Sequence, residues 1–177
     1  MESQAEMKVC LDVDYRDAGA VAACLLFEDW PDPVEAQVRA ARVSSVSPYV
    51  PGRFFERELP CLLQVLKEVT VPLETIVIDG FVWVGSQNEP GLGAHLYEAL
   101  PDPVPVIGVA KNRFRGACRV KAIYRGESRK PLFVSAVGLD LSAAAECIRQ
   151  MHGHSRIPTL LKKVDRFCRE MPLEGGK

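Results

Sequence analysis

The sequence MKVCLDVDYRDAGAVAACLLF, residues 7–27, contains the strongest indication of the fold. Residues 7–14 form a largely apolar run that contains the acids Asp12 and Asp14, and residues 19–27 form a second apolar run after a short polar segment. Two such runs joined by a polar turn predict two antiparallel buried strands. Residues 35–46 alternate between apolar and polar side chains and predict a third strand. The chain should therefore begin with a three-stranded antiparallel meander.

The pattern changes to helical spacing after residue 46. A loop rich in Pro and Gly, residues 47–52, precedes a run of leucines at helical spacing, and Pro60 suits the first helical turn because its missing N–H is not needed there. The next apolar run predicts a buried strand that ends in Asp79. The elements expected after it are a helix at 91–100, strands at 104–110, 118–124 and 131–137, a helix that Ser142 caps and that ends near Met151, and a last helix that begins at Pro158.

Three antiparallel strands followed by alternating strands and helices are the element order of the ribonuclease H-like architecture. We therefore expect an α/β fold with a central mixed sheet flanked by helices. The length of 177 residues fits one domain with a sizeable core, so the predicted domain spans residues 1–177. A fold class does not by itself identify an activity, which has to be argued from the site.

The composition excludes several classes of protein. Twenty-two basic and 23 acidic residues give a formal charge of −1, which argues against a protein that coats nucleic acid through bulk charge but allows a local basic patch. The six cysteines are scattered without a zinc-ligand spacing. The apolar runs are too short to span a bilayer. We expect a cytoplasmic protein that has no membrane partner and is a monomer.

Three carboxylates stand at positions where acids are costly or unusual. Asp12 lies within an apolar strand, Asp79 ends another, and Glu58 stands at the entrance of the predicted helix. If the two strands are neighbours, their carboxylates converge and repel unless a divalent cation neutralises them. Such a cluster suits Mg²⁺, which activates water for phosphoryl displacement. The alternative is that the two Asp residues form turns and that Glu58 is an acid favoured by the helix dipole. Asp14, on the same strand face as Asp12, is either an assisting ligand or a solvated residue.

Several motifs in order resemble the endonuclease V family, the nucleases of deaminated bases. The matching segments are Asp12-Val13-Asp14-Tyr15, Pro48-Tyr49-Val50-Pro51-Gly52, the FERELP sequence at residues 55–60 with Glu58 at the position of the family's catalytic Glu, Asp79-Gly80, Gly91-Leu92-Gly93 followed by Ile107-Gly108-Val109-Ala110-Lys111, and Arg156-Ile157-Pro158. The resemblance implies a metal-dependent endonuclease that hydrolyses a phosphodiester 3′ of a hypoxanthine nucleotide in DNA or RNA.

The resemblance also implies roles for individual residues. Asp12, Glu58 and Asp79 would hold Mg²⁺, or Mn²⁺, and Lys111 would stabilise phosphate charge. Tyr49 would be an aromatic wedge that fills the space of a displaced base. The residues that would line the pocket for that base are Gly52, Phe54, Gly80, Gly93 and Ala94.

The chain departs from the family pattern in ways that leave alternatives open. Leu139 replaces a family His, and the adjacent Asp140 is either a substitute metal ligand or an acid at a helix start. Residues 81–89 differ from the family's His-containing segment, the part before Asp12 is short, and so is the region between Lys111 and Pro131. One alternative function is a nucleic-acid-binding homologue that cleaves weakly. Another is a ribonuclease H-like nuclease for flapped or branched substrates.

Overall fold

A computed structural model describes residues 5–173; residues 1–4 and 174–177, the two ends of the predicted domain, lie outside the described residues. Within that range the elements follow one another in this order: β1 (Met7–Arg16), β2 (Gly19–Phe27), β3 (Gln37–Val43), α1 (Phe54–Leu66), β4 (Leu73–Asp79), β5 (Trp83–Val84), β6 (Glu89–Pro90), α2 (Leu92–Ala99), β7 (Val106–Ala110), β8 (Lys121–Ile123), β9 (Leu132–Val137), α3 (Leu141–Gln150) and α4 (Thr159–Glu170).

The central sheet has seven strands in the order β3-β2-β1-β4-β7-β9-β8. The strands β1, β4 and β7 run parallel at its centre, and β2 and β3 extend it as the antiparallel meander that the first 46 residues predict. The strand β9 runs antiparallel to β7, and β8 pairs with β9 at the outer edge. The expected mixed sheet is therefore present, with two strands added beyond β7.

Helices cover both faces of this sheet because side chains alternate between the faces along each strand. Val9 and Leu11 of β1 pack beneath α1 and α2, whereas Cys10 between them packs toward α3 and α4. Of the leucines whose spacing predicted α1, Leu62 is fully buried, and Leu59, Leu63 and Leu66 pack partly buried against the same core. The two cores share the sheet, so the carboxyl ends of β1, β4 and β7 lie at one edge between the helical layers.

Several predicted boundaries are wrong, for local reasons. The helix α1 begins at Phe54, so Pro60 and Glu58 lie inside it and not in its first turn. Residues 83–90 form the small hairpin of β5 and β6, which was not expected. The cap of α3 is Asp140 and not Ser142, because the Asp140 carboxylate accepts a hydrogen bond from the Ala143 N–H at 3.0 Å. None of the helices in residues 5–173 is long and apolar enough to cross a membrane.

Candidate active site

Asp12 and Asp79 lie side by side at one edge of the sheet. The strands β1 and β4 are parallel neighbours in which Leu11 pairs with Ile78, so the residue after each of these is an acid. Both acids follow the side-chain alternation to the face that α4 covers, and both line the same cleft. The predicted convergence of these two carboxylates is therefore present, because adjacent parallel strands end at the same edge.

Glu58 approaches the same group from α1. Its side chain is only 5% exposed, and its Oε2 accepts a hydrogen bond from the Tyr15 hydroxyl at 3.5 Å. The guanidinium of the neighbouring Arg57 lies 3.9 Å from the centre of the Tyr15 ring. Burial, and then the charges of Asp12 and Asp79, raise the pKa of Glu58 to about 8. Glu58 is thus a buried acid held by an aromatic hydroxyl and repelled by two other carboxylates.

The other two acids also have raised pKa values. Burial away from water raises the pKa of Asp12 to about 7, and the charges of Asp79 and Asp165 add to the rise. The Val13 N–H, which donates to Asp12 Oδ1 at 2.8 Å, acts in the opposite direction and lowers this pKa. Asp79 is open to solvent at the edge of the cleft, yet the surrounding protein removes enough water to raise its pKa as well. Repulsion between carboxylates is what a bound divalent cation would relieve.

A fourth acid, Asp165 on α4, was missed in the sequence. It lines the cleft with Asp12 and Asp79, and its charge raises the pKa of both. In the sequence Asp165 is one polar residue among many on a strongly amphipathic helix. The available signal was its place directly after Val164, at the border of the buried side of α4, which includes Leu160, Val164 and Cys168.

Lys111 and a group of cations complete the cleft, which has a volume of about 280 Å³. Lys111 follows β7 directly, and its charge lowers the pKa of Asp79 against the effect of burial. The backbone carbonyl of Lys111 accepts a hydrogen bond from Arg156, whose Nε also donates to the Pro131 carbonyl at 3.1 Å. The motif at residues 156–158 therefore holds the Lys111 segment in place. The cations of α4 that line the cleft are Lys162, Arg166 and Arg169.

The donor atoms of this cluster suit a hard divalent cation. All four acids offer oxygen, which Mg²⁺ and Mn²⁺ prefer, and burial leaves the Glu58 carboxylate with little compensation for its charge. As the side chains stand, no group of three or more acids, histidines or cysteines within residues 5–173 is arranged so that it could hold a metal ion. Binding would therefore require carboxylate rotation, for which Asp12 would exchange its contact with the Val13 N–H.

Asp140, predicted as a possible metal ligand, does not belong to the cluster. Because β9 runs antiparallel to β7, Val137 at its end pairs with Val106 at the start of β7. Gly138 then contacts Pro105 and Tyr97, at the sheet edge opposite Lys111. The ligand hypothesis for Asp140 is wrong, and its alternative, an acid at a helix start, is confirmed by the cap of α3. Leu139, at the position of the family His, packs partly buried against the core beneath α3 and α4.

The predicted base-binding residues divide into an open and a buried group. Tyr49 is 60% exposed and stands above a second cavity of about 390 Å³ that also borders Arg57. Gly52 has a φ of +78° and open space where a side chain would be, and Phe54 begins α1 on the surface. Gly80, directly after Asp79, also has room beside its Cα. These four residues are accessible to a base.

Gly93 and Ala94 do not reach that surface. A Cβ on Gly93 would lie 2.6 Å from Val82, and the Gly93 N–H already donates to the Phe81 carbonyl at 3.1 Å. Ala94 is buried beside them. In this conformation Gly93 is required for close packing of α2 on the segment after β4, which is a structural role and not the predicted contact with a base.

The central mixed sheet, with its antiparallel meander, parallel centre and flanking helices, defines a ribonuclease H-like protein. The chain matches the family model of endonuclease V over residues 2–166. It is 33% identical to the endonuclease V of Streptomyces avermitilis, covering 88% of this chain and 75% of that protein, and 33% identical to the endonuclease V of Xanthomonas axonopodis, covering 77% and 57%.

Solved structures agree with this fold. The endonuclease V structure from Streptomyces avermitilis superposes with a TM-score of 0.72 at 28% identity, covering 94% of this chain and 81% of that one. The endonuclease V of Ciona intestinalis, in complex with a DNA that contains an inosine followed by a ribo-adenosine, gives 0.74 at 21% identity, covering 93% and 85%. The chain therefore belongs to the endonuclease V family. This membership places it among the nucleases and confirms the predicted fold class.

Proposed function

We propose that this protein is a divalent-metal-dependent endonuclease that hydrolyses a phosphodiester 3′ of a hypoxanthine nucleotide in DNA or RNA. The observation that carries the proposal is the meeting of Asp12 and Asp79 on adjacent parallel strands with Glu58 and Asp165, in a cleft that Lys111 borders. Family membership supports the activity, and the inosine-containing DNA bound by the Ciona relative supports the class of substrate.

The four acids have distinct tasks in this proposal. Asp12, Asp79 and Asp165 would hold Mg²⁺ or Mn²⁺ from the sheet and α4, and Glu58 would complete the site from α1. When bound there, such an ion would supply positive charge near the reacting phosphate and would make a neighbouring water more acidic. Glu58 would orient the attacking water, and the hydrogen bond from the Tyr15 hydroxyl would hold its carboxylate in place. Lys111 lies across from α4, where its ammonium neutralises charge on the phosphate oxygens.

Lesion recognition would depend on the exposed Tyr49 and on the glycines Gly52 and Gly80. Tyr49 lies outside the core with its ring accessible, which suits a side chain that replaces a displaced base in a stack. Gly52 and Gly80 leave room for a base edge to approach the backbone. Hypoxanthine pairs poorly, so its displacement costs less than that of a matched base.

The test is cleavage of matched strands with and without one inosine, in DNA and RNA, in the presence of Mg²⁺ or Mn²⁺. We expect Asp12→Asn and Asp79→Asn each to abolish cleavage while the fold remains intact. Asp140→Asn is the matched control, because it removes an acid at the opposite sheet edge and keeps a capping side chain. Full activity in both cluster variants would refute the site.

Substrate specificity is tested in the same assay. Tyr49→Ala should weaken binding to inosine-containing strands by more than it weakens binding to undamaged ones, by about 1–3 kcal/mol of lost stacking. Equal losses would make Tyr49 a structural residue of its loop. Flapped and branched substrates belong in the same series because the hairpin at residues 83–90 departs from the family segment. The single domain and the monomeric state stay predictions.

A further inference from the structure

The segment after Lys111 is the most basic part of the chain. Residues 113–121 contain four Lys or Arg residues and no acid, although the whole chain has a formal charge of −1. The side chains of Arg113, Arg115 and Arg119 are exposed. Such a local excess of positive charge on a nearly neutral protein marks a surface for an anionic polymer.

Aromatic rings are interleaved with these cations. Phe114 is 45% exposed, and its ring lies edge-on to Phe81 with centroids 6.0 Å apart. The guanidinium of Arg119 lies 4.6 Å from the centre of the Trp83 ring, and Trp83 is fixed by a hydrogen bond from its Nε1 to the Ala136 carbonyl at 3.1 Å. Phe114 is thus an exposed ring with a supporting ring behind it.

The hairpin of β5 and β6 holds this loop in place. The Cys118 thiol donates to the side-chain oxygen of Asn88 at 3.1 Å and to the Ser86 carbonyl at 3.6 Å. Gly116 lies directly against Ser86. The segment at residues 81–89 therefore supports the loop and holds it in place. A preformed surface of this kind binds with less loss of conformational entropy than a free loop does.

The position of the surface connects it to the cleavage site. Phe81 lies two residues after Asp79 at the end of β4, and Phe114 lies three residues after Lys111, which follows β7, so both rings belong to segments that leave the sheet at the edge where the acids lie. Resting on the proposed function, we propose that Phe81, Trp83, Arg113, Phe114, Arg115 and Arg119 form a stacking surface for unpaired nucleotides of the substrate strand next to the cleaved phosphate.

The chemistry of the surface favours single-stranded nucleic acid over a duplex. A duplex offers its phosphates to arginines but keeps its base faces stacked, so an exposed ring gains nothing from it. An unpaired base can stack on Phe114 while the phosphates on either side contact Arg113 and Arg115. The ring and the cations therefore contribute together only when the strand is unpaired.

The experiment measures binding of an undamaged fluorescent oligonucleotide without divalent metal, as a single strand and as a matched duplex. We expect Phe114→Ala to weaken single-strand binding about 5- to 100-fold, as loss of one stacked base does, and to change duplex binding by less than about 2-fold. Phe114→Leu, which keeps the apolar bulk, should lose most of the same affinity. The double variant Arg113→Gln and Arg115→Gln should bind single strands with a weaker salt dependence. The slope of log K against log salt concentration should become shallower by about 0.7 for each phosphate that the variant no longer neutralises.

Arg149→Gln on α3 is the control for loss of a positive charge, and it should change the affinity for neither the single strand nor the duplex. Equal effects of Phe114→Ala on both substrates, or no effect on either, would overturn the proposal, since Phe114 is exposed and its loss should not unfold the protein. The same variant distinguishes failure of the stacking surface from failure of the proposed cleavage activity. Inosine cleavage with unaffected single-strand binding in Phe114→Ala refutes only the stacking surface. Lost single-strand binding in Phe114→Ala, with no inosine cleavage by the parent, refutes only the proposed activity.

Discussion

Replacing Glu58 by Gln should stabilise the metal-free protein while abolishing its activity. Burial and two neighbouring carboxylates raise the pKa of Glu58 from 4.5 to about 8, so the folded protein binds this proton more tightly than the unfolded chain does. The contribution of Glu58 to the free energy of unfolding is therefore highest below about pH 4.5 and falls as the pH rises toward 8. Gln keeps an acceptor for the Tyr15 hydroxyl and carries no charge to bury.

The size of the effect follows from the same pKa values. A rise from 4.5 to about 8 corresponds to an upper limit of about 5 kcal/mol, at about 1.4 kcal/mol per pH unit. Water and counterions can enter the open cleft and Asp12 can rotate, so we expect Glu58→Gln to gain about 1–3 kcal/mol at pH 8. Below about pH 4.5 the parent and the variant should have the same stability.

Urea denaturation of both proteins in EDTA, across this pH range, measures the difference directly. Comparison of the two proteins at each pH cancels the titration of all other groups. Added Mg²⁺ should then raise the stability of the parent by more than that of the variant, because it binds only the folded parent cluster well. A stability difference that is independent of pH would refute the reasoning, since it would mean that Glu58 is not an ionised acid in a repulsive cluster.

Other predictions concern the residues around this group. Asp165→Asn should raise the Mg²⁺ concentration needed for half-maximal cleavage and lower the pKa of Asp12, because the Asp165 charge contributes to raising that pKa; an unchanged Mg²⁺ titration would place Asp165 outside the metal site. Asp140→Ala should lower the free energy of unfolding by about 1 kcal/mol through loss of the helix cap and leave the Mg²⁺ titration unchanged. Tyr15→Phe keeps the stack on Arg57 but removes the hydroxyl that lowers the pKa of Glu58, so the pH–activity profile should shift toward higher pH; an unshifted profile would remove Tyr15 from the positioning of Glu58.

Features that depend on local order could be predicted from the amino-acid sequence. The apolar runs at residues 7–27 predicted the first two strands, and the helical spacing of leucines predicted most of α1. Asp12 and Asp79 could be singled out because an acid inside or at the end of an apolar run is costly to bury. Motifs in a fixed order along the chain indicated the family that the comparisons confirm.

Which distant acids join the cluster depends on the tertiary structure. Asp140 lies shortly after the end of a strand and Asp79 lies at the end of one, but β9 runs antiparallel to β7 and carries Asp140 to the opposite sheet edge. Asp165 lies on a helix whose surface residues look alike in sequence, and packing of α4 on β1 places its carboxylate in the cleft with the acids of the sheet. Strand direction and helix docking are set by contacts between residues far apart in the chain, so local periodicity contains no record of them.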